Sequence, residues 1–247
     1  MGTVILVASG KGGTGKSMFS VNIGATFALR EKSVVIVDMD MGLRNTDLYL
    51  GLENNVVYDA HDVMTGVCRI KQALIRDERF RDLCFMGASP TREMGEITPL
   101  HVKVLCEKLA DMFDVVIVDA PAGIDDGLVV ASAGADAVVI LTTPEYASIR
   151  NADTLDKELV KLGIFKRYVV VNKIIPELMQ AGYVPGLDKI SGLLMPEIIG
   201  TILYDDNINI SINLGIPIVL KPSTYIRRNF EMIAARLEER CLPEELL

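Results

Sequence analysis

Four residues near the start of the chain, Gly10, Gly15, Lys16 and Ser17, have the types and spacing to hold a phosphate, satisfying G-x-x-x-x-G-K-[ST]. The glycines let successive backbone N–H groups turn inward around phosphate oxygens without Cβ clashes, and the N-terminus of a following helix adds partial positive charge. Lys16 is placed to reach the β- and γ-phosphates of a nucleotide, and the Ser17 hydroxyl to ligate Mg2+. The context agrees: the loop lies between a predicted strand, Thr3–Ser9, and a predicted helix, Ser17–Arg30.

Three other stretches add groups such a loop needs. The apolar run Ser33–Val37 ends in Asp38-Met39-Asp40, two carboxylates of which one can hold a Mg2+-bound water and the other can orient an attacking water. The run Asp114–Val118 closes on Asp119, where a carboxylate can join the metal's surroundings, and Pro121 and Gly123 follow in a segment able to sense a γ-phosphate. After Tyr168–Val171 come Asn172 and Lys173, where guanine-reading sites carry N-K-x-D. Position 175 is isoleucine, so the guanine reader is missing, while the Asn172 amide has the chemistry to bond an adenine edge.

These groups need a scaffold that brings strand ends together. Strand-like runs recur at Thr3–Ser9, Ser33–Val37, Leu83–Met86, Asp114–Val118, Ala137–Thr142, Arg167–Val171 and Ile199–Leu203, mostly as continuous apolar stretches, the pattern of strands buried on both faces. Helical spacing occupies Ser17–Arg30, Pro99–Phe113, Ser148–Leu162, Asp206–Leu214 and Thr224–Arg240. The alternation predicts an α/β fold, a doubly wound, mostly parallel sheet flanked by helices, with ligands beyond the carboxyl ends of the strands. At 247 residues, half of them apolar, the chain is expected to form one domain, with a last helix over 224–240 docked on it and a short tail over 241–247.

The remaining composition mostly excludes. A net charge of −8 argues against a surface coated for nucleic acid. Cys68, Cys84, Cys106 and Cys241 are far apart with no C-x-x-C pair, so neither a disulfide framework nor a zinc or iron–sulfur site is expected, and a reducing cytoplasm fits. There is no leader-like start and no uncharged apolar run of about 18 residues, so a secreted or membrane-spanning protein is not expected. His61 and His101 are isolated and read as packed or capping residues.

The loop also carries Lys11, in Lys11-Gly12-Gly13-Thr14-Gly15-Lys16-Ser17, and this K-G-G-x-G-K-[ST] form resembles the deviant Walker A loop of the ParA/MinD family of P-loop ATPases. The resemblance covers nearly the whole chain. Val37–Asp47 is similar to the family's switch I, and Asp119-Ala120-Pro121-Ala122-Gly123-Ile124 to its switch II. Val170-Val171-Asn172-Lys173 is similar to its adenine-contact segment, and Gly215–Leu220 to its last strand region. Thr143-Pro144-Glu145 and Ser148–Asp153 are similar to a segment on the dimer side of the nucleotide pocket.

The resemblance implies nucleotide contacts from Gly10, Lys11, Gly12, Gly13, Thr14, Gly15, Lys16, Ser17 and Met18, from the Gly123 N–H towards the γ-phosphate, and from Asn172. It also implies Mg2+ held by Ser17 with Asp38 and Asp119, the aspartates through water. Catalysis falls to Asp40, which positions the water, to Lys16, and to Lys11, which crosses to the nucleotide of a second copy. ATP/ADP, an ATP-dependent homodimer, slow hydrolysis as a spatial switch in division-site placement, and regulators of the MinC and MinE kind follow from the same resemblance. So does a cytoplasmic location peripheral to the inner face of the membrane. Alternatives are a partition ATPase or flagellar-number regulator of the same family or, in another class, a metabolic or metal-insertion P-loop enzyme.

The chain departs from the family at its end, where a basic amphipathic helix for membrane insertion is usual. Here Thr224–Leu247 carries Arg227, Arg228, Arg236 and Arg240 against Glu231, Glu238, Glu239, Glu244 and Glu245, a balance that anionic lipid repels.

Overall fold

The computed structural model describes residues 1–41, 45–90, 97–243 and 246. Its strands are short runs rich in β-branched residues: β1 (Thr3–Ala8), β2 (Val34–Asp38), β3 (Ile75–Arg76), β4 (Leu83–Met86), β5 (Val115–Asp119), β6 (Ala137–Thr142), β7 (Arg167–Ile174) and β8 (Glu197–Leu203). The longer helices are α1 (Lys16–Leu29), α5 (Pro99–Ala110), α7 (Tyr146–Lys161), α10 (Asp206–Asn213) and α11 (Tyr225–Cys241). Between them lie α2 (Thr46–Leu50), α3 (Ala60–Met64), α4 (Ile70–Ala73), α6 (Asp126–Ala131), α8 (Pro176–Gln180) and α9 (Leu187–Leu193).

The strands form one sheet in the order β3-β4-β2-β5-β1-β6-β7-β8. Every neighbouring pair is parallel except β3–β4. Each of the seven apolar runs forms a strand with slightly shifted ends, and β7 runs on to Ile174, whereas Gly215–Leu220, likened to the family's last strand region, ends in a short 3-10 turn over Ile218–Leu220. The expected helices are present too. β3 and the short helices were not expected, because two to seven residues are too few to display a period. Asp47, at the end of the switch I resemblance, lies inside the first turn of α2.

Alternation along each strand feeds two cores. In β1, Ile5 and Val7 pack with α1 and α11, whereas Val4, Leu6 and Ala8 pack with α5 and α7 on the other face. All six β1 residues are buried, which is why the run reads as continuously apolar. Ile226, Phe230, Ile233 and Leu237 of α11 are buried, with the Phe230 ring 5.7 Å from that of Phe19. The approach of α11 to the sheet is set by Gly200, where a Cβ would lie 2.2 Å from Ile233 Cγ1.

Polar contacts fix the same helix. Arg30 of the α1 C-terminus grips Glu238 with two nitrogens, Nε at 2.9 Å from Oε1. Arg236 donates to the Ile199 carbonyl at 2.7 Å, on the strand that ends the sheet. Ile199 has no register partner on β7, because the pairing steps from Val169↔Ile198 to Val170↔Gly200. Beyond α11, Leu246 packs partly buried against the core and its carbonyl accepts from Lys32 Nζ. Gly42, Leu43 and Arg44 of the switch I resemblance, and Glu244, Glu245 and Leu247 of the tail, lie outside the described residues. No helix among the described residues is long and apolar enough to cross a membrane.

Candidate functional site

Parallel pairing brings the carboxyl ends of β1, β2, β5 and β7 to one edge of the sheet, and the motif residues follow. The β1–α1 loop turns through Gly13 at φ 79° and Gly15 at φ 94°, left-handed conformations in which a side chain would be strained. Gly15 also gives α1 its N-cap, so the helix start faces the loop's concave side. The cavity there, about 350 Å3, is lined by Ser9, the loop from Gly12 to Met18, Asp40, Asn45, Tyr49, Ala122, Lys173 and, from α10, Ile208, Asn209 and Ile212. A larger groove of about 740 Å3 lies between α3–α4 and α5, lined by such residues as Val63, Leu100 and Val104, and contains none of the motif residues.

Under the loop sits a buried cluster of charge. Asp38 and Asp119 occupy facing positions on the adjacent strands β2 and β5, both fully buried. Lys16 Nζ donates to Asp119 Oδ1 at 2.9 Å. Ser20 Oγ donates to the same oxygen at 2.9 Å, and Thr46 Oγ1 to Asp119 Oδ2 at 3.1 Å. Asp38 accepts from the Asp40 N–H at 2.9 Å and the Thr46 N–H at 3.4 Å.

Burial, reinforced by the charge on Asp119, pushes the Asp38 carboxyl up to about 7. Burial alone would lower the Lys16 ammonium, but Asp119 beside it, helped by Asp40 and Asp38, raises it above its ordinary value. Burial also raises Asp40, which makes it a better proton acceptor. Two buried carboxylates with one ammonium leave an excess of negative charge, and Ser17 and Asp40 line the cavity above it, so the donor set fits a hard divalent cation.

The remaining residues singled out in the sequence are distributed around this cluster. Lys11 Nζ donates to Glu145 Oε2 at 2.8 Å, a partly exposed pair at the start of α7. Gly10 is not in the cavity wall; a Cβ there would lie 2.6 Å from the Asn151 carbonyl oxygen, so its smallness serves the approach of α7. The Gly123 N–H, at φ 111°, donates to the Ser9 carbonyl at 3.0 Å and can turn to a γ-phosphate only by exchanging that bond. Asn172 is buried and donates Nδ2 to the Thr14 carbonyl at 2.8 Å, behind the loop rather than in the cavity wall. Asn172 Oδ1 and Thr14 Oγ1 are buried without a partner, two polar atoms that the fold leaves open beside a nucleotide-sized space.

Sequence reasoning missed Tyr49, Ile208, Asn209 and Ile212, which close the far side of the cavity and carry no motif. It also passed over Asp59 and Asp62 as neighbours of His61: ligand atoms of the three lie within 4.8 Å of one another. Asp59 and Asp62 cap α3 reciprocally, which accounts for their closeness. His101 does cap, its Nδ1 accepting from the Thr98 N–H at 3.2 Å.

Comparison with known proteins agrees with this geometry. Residues 5–218 match the model of the CobQ/CobB/MinD/ParA nucleotide binding domain. The chain is 38% identical over 249 residues to a septum site-determining protein MinD of Bacillus subtilis, covering all of this chain and 93% of that one. Among solved structures, the MinD cell division protein of Aquifex aeolicus superposes with a TM-score of 0.87 at 33% identity, covering 98% of both chains. A MinC:MinD complex of the same organism matches with the same TM-score at 34% identity, again over 98% of both chains. With a family model over most of its length and a relative aligned end to end, the chain belongs to the CobQ/CobB/MinD/ParA nucleotide-binding family and, within it, to the MinD septum site-determining ATPases.

Proposed function

We propose that this chain acts as a single P-loop ATPase domain that binds Mg·ATP between its phosphate loop and α10. Two copies pair face to face around two nucleotides and hydrolyse slowly, so that the lifetime of the ATP-bound pair is the signal in septum placement. The reading rests on the Lys16–Asp119–Asp38 cluster, a buried arrangement with unbalanced charge directly under a glycine-rich loop. Lys16 and the loop N–H groups stabilise charge on the transferring phosphoryl group, and Asp40 orients the water that attacks in line. Mg2+ would supply further charge neutralisation, with Ser17, Asp38 and Asp119 as the residues that would hold it.

Lys11 reaches the second copy's nucleotide after leaving Glu145. A pair this exposed is worth at most about 1 kcal/mol, so phosphate competes for Lys11 easily. A protein of the MinC kind docks on the ATP-bound pair, in keeping with the Aquifex complex. The site of action is the cytoplasm at the inner membrane face. We do not assign contact with that face to α11, whose Arg227, Arg236 and Arg240 are engaged within the fold.

Sedimentation velocity with Mg·ATP or Mg·ADP, run beside phosphate release, tests this. The protein is expected to pair with ATP only. Lys11→Ala should bind ATP as a monomer, and Asp40→Ala should remain paired because hydrolysis stops. A monomeric Asp40→Ala under saturating Mg·ATP would refute the role given to Asp40.

A further inference from the structure

The end of β7 departs from regular strand geometry. Between Val171 and Ile174 it advances three residues while β8 advances only from Thr201 to Leu203, so one residue is extra and the strand bulges. Within the bulge Lys173 adopts φ 58°, a left-handed conformation that lysine rarely visits. A regular strand would send Asn172 and Lys173 to opposite faces. Here both reach the phosphate loop: Asn172 Nδ2 donates to the Thr14 carbonyl at 2.8 Å, and Lys173 Nζ donates to the Gly13 carbonyl at 2.8 Å.

A trans peptide unit points its carbonyl and the following N–H in opposite directions. Holding the Gly13 and Thr14 carbonyls towards β7 therefore turns the N–H groups of Thr14 and Gly15 away from it, towards the cavity that these residues line. Successive N–H groups aimed into a concavity form an anion-binding nest. Asn172 fixes one of the two units, and can do so only because Gly15 lacks a Cβ, which would lie 2.4 Å from Nδ2. The other unit has Lys173.

We propose that Lys173 is a positioning residue for phosphate binding, acting through the Gly13 carbonyl to preset the loop N–H groups that receive the nucleotide's phosphates. The inference rests on the ATPase reading above and deepens it. In this role the lysine, itself in the cavity wall, acts through the loop backbone. Arginine can take its place, since a guanidinium reaches the same carbonyl.

The test uses the full chain with a fluorescent ADP analogue, displaced by inorganic pyrophosphate, for the wild type, Lys173→Met and Lys173→Arg. Lys173→Met should weaken both the ADP analogue and pyrophosphate about tenfold, the scale of one hydrogen bond from a charged donor. Lys173→Arg should restore both to within about threefold of the wild type. The melting temperature without ligand should be unchanged in both variants, and for Lys173→Met kcat should fall less than kcat/KM. Wild-type affinity for both ligands in Lys173→Met would overturn the proposal. So would a loss confined to the ADP analogue, which would mark a contact with the base or sugar instead. Failure of the wild type to bind either ligand would overturn the ATPase reading itself, an outcome distinct from any difference between variants.

Discussion

Replacing Asp38 by asparagine tests the charge cluster by an effect opposite to that of most substitutions of buried residues. Asp38 and Asp119 are both fully buried, and the Lys16 ammonium is bonded to Asp119. The Asp38 carboxyl is held at about 7 by burial and then by Asp119, against 3.8 in an unfolded chain. Between about pH 4 and pH 7 the native protein therefore keeps a proton that the unfolded chain has released. Stability from this group then falls as pH rises through that window, and above it the full cost is present. A difference of roughly three pH units corresponds to about 4 kcal/mol.

Asparagine removes the charge but offers one acceptor oxygen where the carboxylate takes N–H groups from both Asp40 and Thr46, a loss of about 1–2 kcal/mol. The nucleotide-free protein in EDTA should thus gain about 2 kcal/mol at pH 8. For a chain of this length that is a melting-temperature rise of about 4–8 °C, read by scanning fluorimetry. At pH 5, where wild-type Asp38 is already protonated, the gain should nearly vanish. On the proposed reading the same variant should also lose Mg2+-dependent phosphate release, because the charge that costs stability is the one proposed to serve the cation. An unchanged or lower melting temperature at pH 8, or a gain larger at pH 5 than at pH 8, would refute this account of the cluster.

Other positions are expected to behave as follows. Gly15→Ala places a Cβ 2.4 Å from Asn172 Nδ2 at φ 94°, and should reduce nucleotide affinity at least tenfold by equilibrium dialysis while the circular dichroism spectrum is retained. Glu238→Gln removes the charge from the two-nitrogen contact with Arg30 that fixes α11, and should lower stability by about 1–2 kcal/mol in a urea titration with unchanged slope. Burial pushes the Cys106 thiol up to about 12, so at pH 8 roughly one molecule in ten thousand carries its thiolate. Mass spectrometry after alkylation of the native protein should find Cys68 modified and Cys106 untouched until urea unfolds the chain.

The residues that could be read from the sequence share a property: their chemistry is tied to a strand end. Lys16 and Ser17 follow β1, Asp38 closes β2, and Asp119 closes β5, so a continuous apolar run locates each of them along the chain. Tyr49 and Ile208 could not be found this way. They reach the cavity because α2 and α10 pack together across the loop, a long-range event that leaves no spacing in the chain. Gly10 was legible as a motif position but not in its actual use, since its nearest neighbour, Asn151, lies on α7. Lys173 was visible only as the lysine of a nucleotide-reading signature. Its left-handed turn depends on β8 pairing one residue short, which no local pattern encodes. β3 was lost because two residues cannot display alternation.

The two ends of the sheet are finished in different ways. β3 closes one end with only two residues, too few to template anything. β8 closes the other with seven, and there the carbonyl of its unmatched Ile199 is occupied by the guanidinium of Arg236. A side chain from the chain's own last helix thus fills one backbone acceptor of this end strand. Filling an acceptor on an end strand from within the same chain makes strand-to-strand growth at that end of the sheet less favourable.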